Sequence, residues 1–153
     1  MNLDLICVGK NSPGPVAEAL AEMLKRLGHS ASVKVVVVAD MGRSDRSSGV
    51  RKEGERILTS LKEEGRVVLL DERGRSFTSQ EFAHRLGTWR DSNVRRVQFI
   101  IGGAFGVSEA VRERADLVLA MSRMTFTHQM VRLVLVEQLY RAFSILEGRP
   151  YHH

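Results

Sequence analysis

The residues best placed for chemistry follow the ends of predicted strands. A strand over Val97–Ile101 leads into the glycine turn Gly102–Gly106, and a strand over Leu117–Ala120 leads into the polar segment Ser122–Thr127. Glycines allow positive φ and let a ligand approach the backbone closely. A polar loop between buried elements can present backbone amides and carbonyls to a ligand. Because ligands of open α/β sheets bind beyond the carboxyl ends of strands, we expect a site here, together with Leu70-Asp71.

The glycine turn alone does not define the ligand. Its spacing matches neither GxGxxG nor a Walker loop, so a dinucleotide or ATP site is not expected. The simpler interpretation of the turn is that it needs glycine only for geometry. Asp71 at a strand end suggests a phospho-acceptor aspartate. Receiver domains, however, place an acidic pair after the first strand, where this chain has Gly9-Lys10, so that class is excluded.

Four side chains near the C-terminus carry or transfer charge. Arg132 projects from the apolar arc of a long predicted helix, where an unpaired guanidinium is very costly. It either reaches water or a carboxylate such as Glu137, or it is held at a site. His128 lies in the first turn of the same helix, where a partly buried, hydrogen-bonded histidine is the common outcome. Tyr151 and His152 belong to the tail; chain ends usually fray, but an aromatic directly after a buried helix often packs against something.

A group of basic residues lies in and after the polar loop Asp40–Gly49. It is either a solvated face or a surface that follows a phosphate backbone, and charge alone does not decide between them. Its members are Arg43, Arg46, Arg51, Lys52 and Arg56.

Strand and helix patterns alternate five times, which indicates an α/β fold with a mostly parallel sheet and helices on both faces. We expect residues 1–153 to form a single domain. Strands are predicted over Leu3–Val8, Val33–Val38, Val67–Leu70, Val97–Ile101 and Leu117–Ala120, and helices over Val16–Leu27, Val50–Glu64, from Thr78 towards Trp89, from Ser108 to Arg114 and from about Thr127 onwards.

Three of these predictions rest on particular patterns. The β-branched run Val33–Val38 is typical of a strand covered on both faces. The turn signal Asp71–Gly74 is expected to end the short third strand. Thr78 and Glu81 have the spacing of a capping box, which starts the next helix.

The long C-terminal helix has no internal Gly or Pro and is apolar nearly all round. Such a helix is usually buried on more than one side. In a chain of 153 residues, this suggests both an internal core and a partner subunit, so we expect a homodimer. The main apolar face comprises Leu133, Val136, Leu139, Tyr140, Phe143 and Leu146.

The composition fits a globular protein with 43% hydrophobic and 27% charged residues. A net charge of +5 weakly suggests a polyanionic partner. The single cysteine, Cys7, falls in a predicted strand and suggests a core residue in a reducing, cytoplasmic compartment. We expect no metal, because no cysteine and histidine cluster has metal spacing. We expect no membrane span, because no apolar run is long enough.

Six segments, taken in order, resemble the RlmH family of SPOUT-superfamily methyltransferases, which act on a pseudouridine of large-subunit ribosomal RNA. Each segment alone is weak, but their joint occurrence is specific and extends over nearly the whole chain, with the N-terminal third matching less well. They are KEGERIL (52–58), LLDERG (69–74), GGAFG (102–106), SRMTFTHQMVR (122–132), EQLYRA (137–142) and PYH (150–152).

The resemblance implies a SPOUT-type trefoil knot near the C-terminus, a homodimer and the cofactor S-adenosylmethionine, held by backbone groups of the knot loops. Two residues depart from the family pattern: Thr127 stands where proline is usual, and His153 where Arg or Lys is usual. Carried over to this chain, the cofactor positions are Leu70, Gly103, Ser122, Arg123, Met124, Thr125, Phe126 and Thr127.

The implied reaction is in-line transfer of a methyl group to N3 of a pseudouridine, with help for the N3 proton. The candidate groups are Tyr151 and His152 from the tail, with His128 behind them. Arg132 either stabilises charge or orders the dimer interface. Two alternatives stay open: a ribose 2′-O-methyltransferase of the same superfamily, and a ribosome-binding adaptor without enzymatic activity.

Overall fold

Strand and helix alternate five times in the structure, a computed structural model that describes residues 1–41 and 46–151. The predicted alternation is therefore confirmed. The elements are β1 Asn2–Val8, α1 Pro15–Leu27, β2 Ser32–Val38, α2 Arg46–Ser60, β3 Arg66–Ser76, α3 Ser79–Asp91, β4 Arg96–Ile101, α4 Glu109–Arg114, β5 Leu117–Ala120 and α5 His128–Leu146.

The five strands form one sheet in the order β2-β1-β4-β3-β5, and all of its pairings are parallel. Successive residues of a strand face opposite sides of the sheet, so Phe99 and Ile100 of β4 enter two separate cores. The larger core packs α1, α3 and α5 against one face and contains Cys7. The smaller core packs α2 and α4 against the other. Helices on both faces are thus confirmed.

Three helices begin at a residue whose side chain caps the first turn. Thr78 accepts a hydrogen bond from the Glu81 backbone N–H while Glu81 accepts one from that of Thr78, which completes the capping box of α3. Ser108 caps α4 and Thr127 caps α5 in the same way through their hydroxyls. Such caps satisfy backbone donors that the first helical turn leaves unpaired.

The prediction that β2 is covered on both faces is wrong. β2 lies at the edge of the sheet, and Val35 and Val37 are 45% and 47% exposed. β-Branched residues favour a pleated strand whether or not it is central, so the valine run does not reveal the strand's position in the sheet.

The turn predicted to end β3 at Asp71–Gly74 is also wrong. β3 continues to Ser76, and its register against β5 shifts so that Leu70 and Arg75 both pair with Leu119. The segment Asp71–Gly74 is therefore a bulge. Gly74 permits it, because a Cβ at this position would lie 2.6 Å from the Val118 carbonyl oxygen.

Helix α2 begins and ends about one turn earlier than predicted. The buried side chain of Gln98 on β4 accepts a hydrogen bond from the Lys62 backbone N–H at 2.7 Å and donates one to the Lys62 carbonyl at 3.0 Å. These bonds hold the chain in a non-helical conformation after Ser60. A contact this distant in sequence leaves no local signal.

Contacts within one subunit account for most of the apolar surface of α5. α5 packs against both α1 and α3 and contributes Leu135, Val136 and Leu139 to the larger core. Two neighbouring helices and the sheet therefore bury most of its circumference. The homodimer stays a prediction, as does the knot.

Arg132 is the one charged residue of α5 that is buried, with only 3% of its surface exposed. Its Nη2 donates to the carbonyl oxygens of Val8 at 2.6 Å and Gly9 at 2.9 Å, and its Nη1 donates to Asn11 Oδ1 at 2.7 Å. The suggested pair with Glu137 does not form; that carboxylate accepts hydrogen bonds from Arg141 instead. Arg132 thus ties α5 to the carboxyl end of β1.

Replacing Arg132 with methionine keeps most of the side-chain volume but leaves two carbonyls and one amide oxygen without their donor. We expect the free energy of unfolding to fall by about 3 kcal/mol, measured by urea titration. Arg141→Met is the matched control, because its pair with Glu137 is partly exposed, and we expect it to lose about 1 kcal/mol or less. Equal losses in the two variants would show that the buried Arg132 contacts contribute no more to the free energy of unfolding than the partly exposed Arg141 pair does.

Candidate active site

A cleft of about 800 Å³ opens at the carboxyl ends of β3, β4 and β5. Its walls come from the β3 bulge, the glycine turn after β4 and the segment between β5 and α5. Of the eight predicted cofactor positions, Arg123 is not part of the lining. The other seven line the cleft: Leu70, Gly103, Ser122, Met124, Thr125, Phe126 and Thr127.

The glycine turn after β4 is closed by a hydrogen bond from the Gly106 N–H to the Gly103 carbonyl at 3.1 Å. Of its three glycines, only Gly106 has positive φ, at +80°, and a Cβ there would meet open space. A Cβ on Gly103 would instead lie 3.2 Å from Val8 Cγ1 and 3.5 Å from Glu53 Oε2. Glycine at 103 therefore serves packing against the sheet end and α2.

The segment Ser122–Thr127 has irregular backbone held by its own side chains. The Ser122 hydroxyl accepts from the Met124 N–H at 2.9 Å, and the Thr127 hydroxyl accepts from the Met130 N–H at 3.3 Å. The side chains of Met124 and Phe126 project outward, with 75% and 43% of their surfaces exposed. Exposed apolar side chains at the mouth of a cleft provide surface that a ligand can cover.

Asp71 lies in the cleft wall, although sequence reasoning set it aside as a phospho-acceptor. Its carboxylate accepts hydrogen bonds from the Arg73 side chain at 3.2 Å, from the Arg73 backbone at 2.8 Å and from Arg112 of α4. Burial of this carboxyl raises its pKa, but the bonds from Arg73 and Arg112 outweigh burial and lower the pKa to about 2. The carboxylate is ionised at neutral pH, and its oxygens are occupied by arginine.

Comparison with known proteins identifies the family of the chain. A family model described as "Predicted SPOUT methyltransferase" matches residues 1–152. The chain belongs to the SPOUT methyltransferase family. Full-length relatives include proteins named "Ribosomal RNA large subunit methyltransferase H" from Geotalea daltonii, 42% identical with 100% of both chains covered, and from Paramagnetospirillum magneticum, 45% identical with 99% of both covered.

Solved structures show the same SPOUT fold. A probable methyltransferase from Bordetella pertussis Tohama I superimposes with a TM-score of 0.61 over 92% of this chain and 93% of that one, at 13% identity. A probable methylase family protein from Haemophilus influenzae Rd KW20 gives 0.59 over 99% of this chain and 70% of that one, at 12% identity. At such low identity these likenesses show the fold alone.

The proposed catalytic residues of this SPOUT methyltransferase do not all meet in one subunit. His128 is the first residue of α5, lines the cleft and is half-buried. Tyr151 contacts Glu137, which lies nine residues after His128 on α5, about 14 Å along the helix axis at 1.5 Å per residue. Its ring packs edge-on against Tyr140 with centroids 4.6 Å apart, and its hydroxyl donates to Glu137 Oε1 at 3.4 Å. His152 lies outside the described residues.

The basic group divides into members with different surroundings. Arg46 lines the cleft, with its guanidinium carbon 4.8 Å from the centroid of the Phe105 ring. Arg51 pairs with Glu55 at 2.7 Å on the exposed side of α2, and Arg43 lies outside the described residues. Arg46 is thus the described member of the group that reaches the cleft.

Sequence reasoning missed the side-chain pairings made at the cleft wall. Arg46 and Phe105 meet across it from different elements, and Arg112 reaches Asp71 from α4. Their motifs were visible, but these pairs are separated by many residues in sequence. The Asp71–Gly74 turn signal was the usable clue, since a bulge at a strand end commonly redirects side chains into a site.

The Asp71 carboxylate predicts a pH dependence of stability. Its folded pKa, about 2, is lower than its unfolded value of about 4. Its ionisation therefore stabilises the fold above about pH 4, and this contribution is lost as the pH falls through 2. We expect Asp71→Asn to be less stable than wild type by about 1–2 kcal/mol at pH 7, with the difference shrinking towards pH 2.

Urea titrations at pH 7, 4 and 2.5 check this. Asp91→Asn is the control, because that side chain is 76% exposed and its loss should leave stability unchanged at each pH. A deficit of the Asp71 variant that stays constant from pH 7 to 2.5 would show that shape, not charge, is what the asparagine disturbs.

Proposed function

We propose that this SPOUT methyltransferase methylates N3 of a pseudouridine in large-subunit ribosomal RNA, using S-adenosylmethionine. The observation that carries the proposal is the full-length identity of 42% and 45% to relatives named for methylation of that RNA. The cytoplasm, where ribosomes assemble and work, is the compartment that this substrate implies.

The cleft suits an adenosyl cofactor. A volume of about 800 Å³ is within the usual range for small-molecule sites. Apolar side chains such as Leu70 and Leu119 can cover a base, while the irregular segment Ser122–Thr127 offers backbone donors and acceptors to polar groups. Bound there, the cofactor supplies the electrophilic methyl group. The seven lining positions named above would hold it.

The chain's own residues then have separate tasks. His128 sits at the cleft and is the described histidine closest in the chain to the cofactor segment, so it can accept or relay the N3 proton. Arg132 has both Nη atoms occupied by the β1 end, so we assign it a positioning role: it holds the start of α5, and with it His128. We assign Tyr151 to closing the site and excluding water from the target base, and His152 to accepting the N3 proton, with His128 behind it.

Two observations support a homodimer in which the tail completes the partner's cleft. Tyr151 packs on the flank of its own α5, far from its own cleft. Met130 and Val134 are apolar residues of α5 that remain partly exposed, which is the surface expected to be covered by a second copy. The knot near the C-terminus belongs to the same proposal.

The reaction is tested with large ribosomal subunits from cells that lack this protein. Incubation with labelled S-adenosylmethionine should add one methyl group, and mass mapping should place it on the base of a pseudouridine. Label on a ribose oxygen would favour the 2′-O alternative. Binding to the subunits without cofactor binding or methyl transfer would favour the adaptor.

Deleting Tyr151–His153 should leave the dimer and the cofactor affinity unchanged while methyl transfer falls about 10²–10⁴-fold, the usual worth of proton-transfer help. The tail follows the last helix, so its removal opens no cavity. Sedimentation, equilibrium binding of the cofactor and single-turnover methylation of large subunits measure the three quantities. If the deletion variant keeps full activity, the tail is not needed for proton transfer, and His128 is the remaining candidate.

Mixed dimers decide whether the tail acts in trans. The deletion is combined with Gly106→Val, which places a β-branched side chain at positive φ in the cleft wall and should abolish cofactor binding. In trans, half of the dimers in an equal mixture gain one working site, giving about a quarter of wild-type activity. Activity no higher than that of the two separate variants would show a tail acting within its own chain.

A further inference from the structure

A second concavity, of about 500 Å³, lies outside the cleft along one side of α3. We call it the α3 groove. Helical spacing places its residues on one face of the first three turns of α3, with the end of β3 beside them. Its lining is Arg75, Phe77, Gln80, Glu81, His84, Arg85 and Thr88.

The α3 groove combines cationic and aromatic side chains. The guanidinium carbon of Arg75 lies 4.7 Å from the centroid of the Phe77 ring. Within residues 1–41 and 46–151, neither Arg75 nor Arg85 forms an ion pair with a carboxylate. The groove therefore presents two guanidiniums without a carboxylate in direct contact, although the charge of Arg75 is close enough to Glu81 to lower the pKa of that carboxyl.

Glu81 is the acidic residue of the groove, and its carboxylate serves the fold. Its Oε2 accepts a hydrogen bond from the Thr78 backbone N–H at 2.7 Å, and this bond lowers the pKa of Glu81. The same carboxylate completes the cap of α3. The lining thus carries one carboxylate, which caps α3, against two arginines, which favours an anionic occupant.

The groove is continuous with the candidate active site. Arg73 lines the cleft and Arg75 lines the α3 groove, two residues apart on β3. Arg75 and Ser76 pair with Leu119 and Ala120 of β5, directly before the segment that forms the cleft mouth. A chain that leaves the cleft over the β3 bulge therefore reaches the groove after about two strand residues, roughly 7 Å.

We propose that the α3 groove binds the single-stranded RNA that flanks the target nucleotide, an inference that rests on the proposed function. Arg75 and Arg85 contact phosphates, while Phe77 and His84 provide ring surface for a neighbouring base. Arginine beside aromatic rings is the pattern that proteins use for unpaired nucleotides, where stacking tolerates any base. The groove holds the strand, and the cleft receives the nucleotide that is modified.

The test measures equilibrium binding of large ribosomal subunits, and of naked large-subunit RNA, between 50 and 200 mM salt. Arg75→Gln/Arg85→Gln should weaken both and reduce the slope of log affinity against log salt by about 0.7 for each phosphate that the variant no longer neutralises. Cofactor affinity should not change, because neither residue lines the cleft. Arg75→Lys/Arg85→Lys should restore the slope.

The matched control is Arg90→Gln/Arg95→Gln, which removes the same charge near the other end of α3 without touching the groove lining. We expect it to change the slope by less than half as much. Gln80→Lys adds a cation to the groove and should raise both affinity and slope, which tests the proposal even if the double variant is unstable. Phe77→Leu should weaken binding while leaving the slope unchanged, as a stacking contact would.

Distinct results overturn distinct claims. Wild-type protein that binds neither particles nor RNA contradicts the proposed function itself. If the wild type binds, and neither the double glutamine variant nor Gln80→Lys changes that binding, the groove proposal is wrong while the proposed function stands. Weaker binding to particles but not to naked RNA would show that the groove contacts a ribosomal protein, which also overturns the proposal.

Discussion

The position of α5 depends on the guanidinium of Arg132. A charge with 3% exposure is expensive to bury unless it is well hydrogen-bonded, and here it finds three acceptors at the end of β1. Its Nε has no partner among the described atoms, so the arrangement serves geometry more than stability. Because α5 begins at His128, directly after Ser122–Thr127, anchoring this helix also anchors that segment of the cleft wall.

The opposite helical layer uses the same device. Arg112 of α4 donates to Asp71 at the β3 bulge, just as Arg132 of α5 donates to the end of β1. Arg132 thereby holds the end of β1 through two backbone carbonyls, and Arg112 holds the β3 bulge through a carboxylate. Parallel strands leave backbone groups at their carboxyl ends unpaired by the sheet, and long cationic side chains can satisfy them from either face. A stiff frame around the cleft follows from both ties.

Sequence reasoning succeeded where the cause is local. The caps at Thr78, Ser108 and Thr127 satisfy donors within four residues, and the first two were predicted from the sequence. It failed where the cause lies far along the chain: Gln98 ends α2, and pairing with β5 extends β3 beyond its turn signal. The edge position of β2 depends on strand order, which no local pattern encodes. The predicted cofactor positions came from family resemblance, and most of them line one cleft. The contacts of Arg132 with β1 and of Arg112 with Asp71 were not predicted from the sequence.

The surroundings of Tyr151 limit its chemistry. Burial raises the pKa of its hydroxyl, and the nearby Glu137 carboxylate raises it further. In this position the phenol is protonated at neutral pH, so it can donate a hydrogen bond but cannot take the N3 proton. Glu137 is itself held by Arg141, whose guanidinium carbon lies 4.9 Å from the Tyr151 ring centroid. Because its one proton is donated to Glu137, Tyr151 has no donor left for the target base. In the proposed mechanism a histidine therefore accepts the N3 proton, and Tyr151 excludes water.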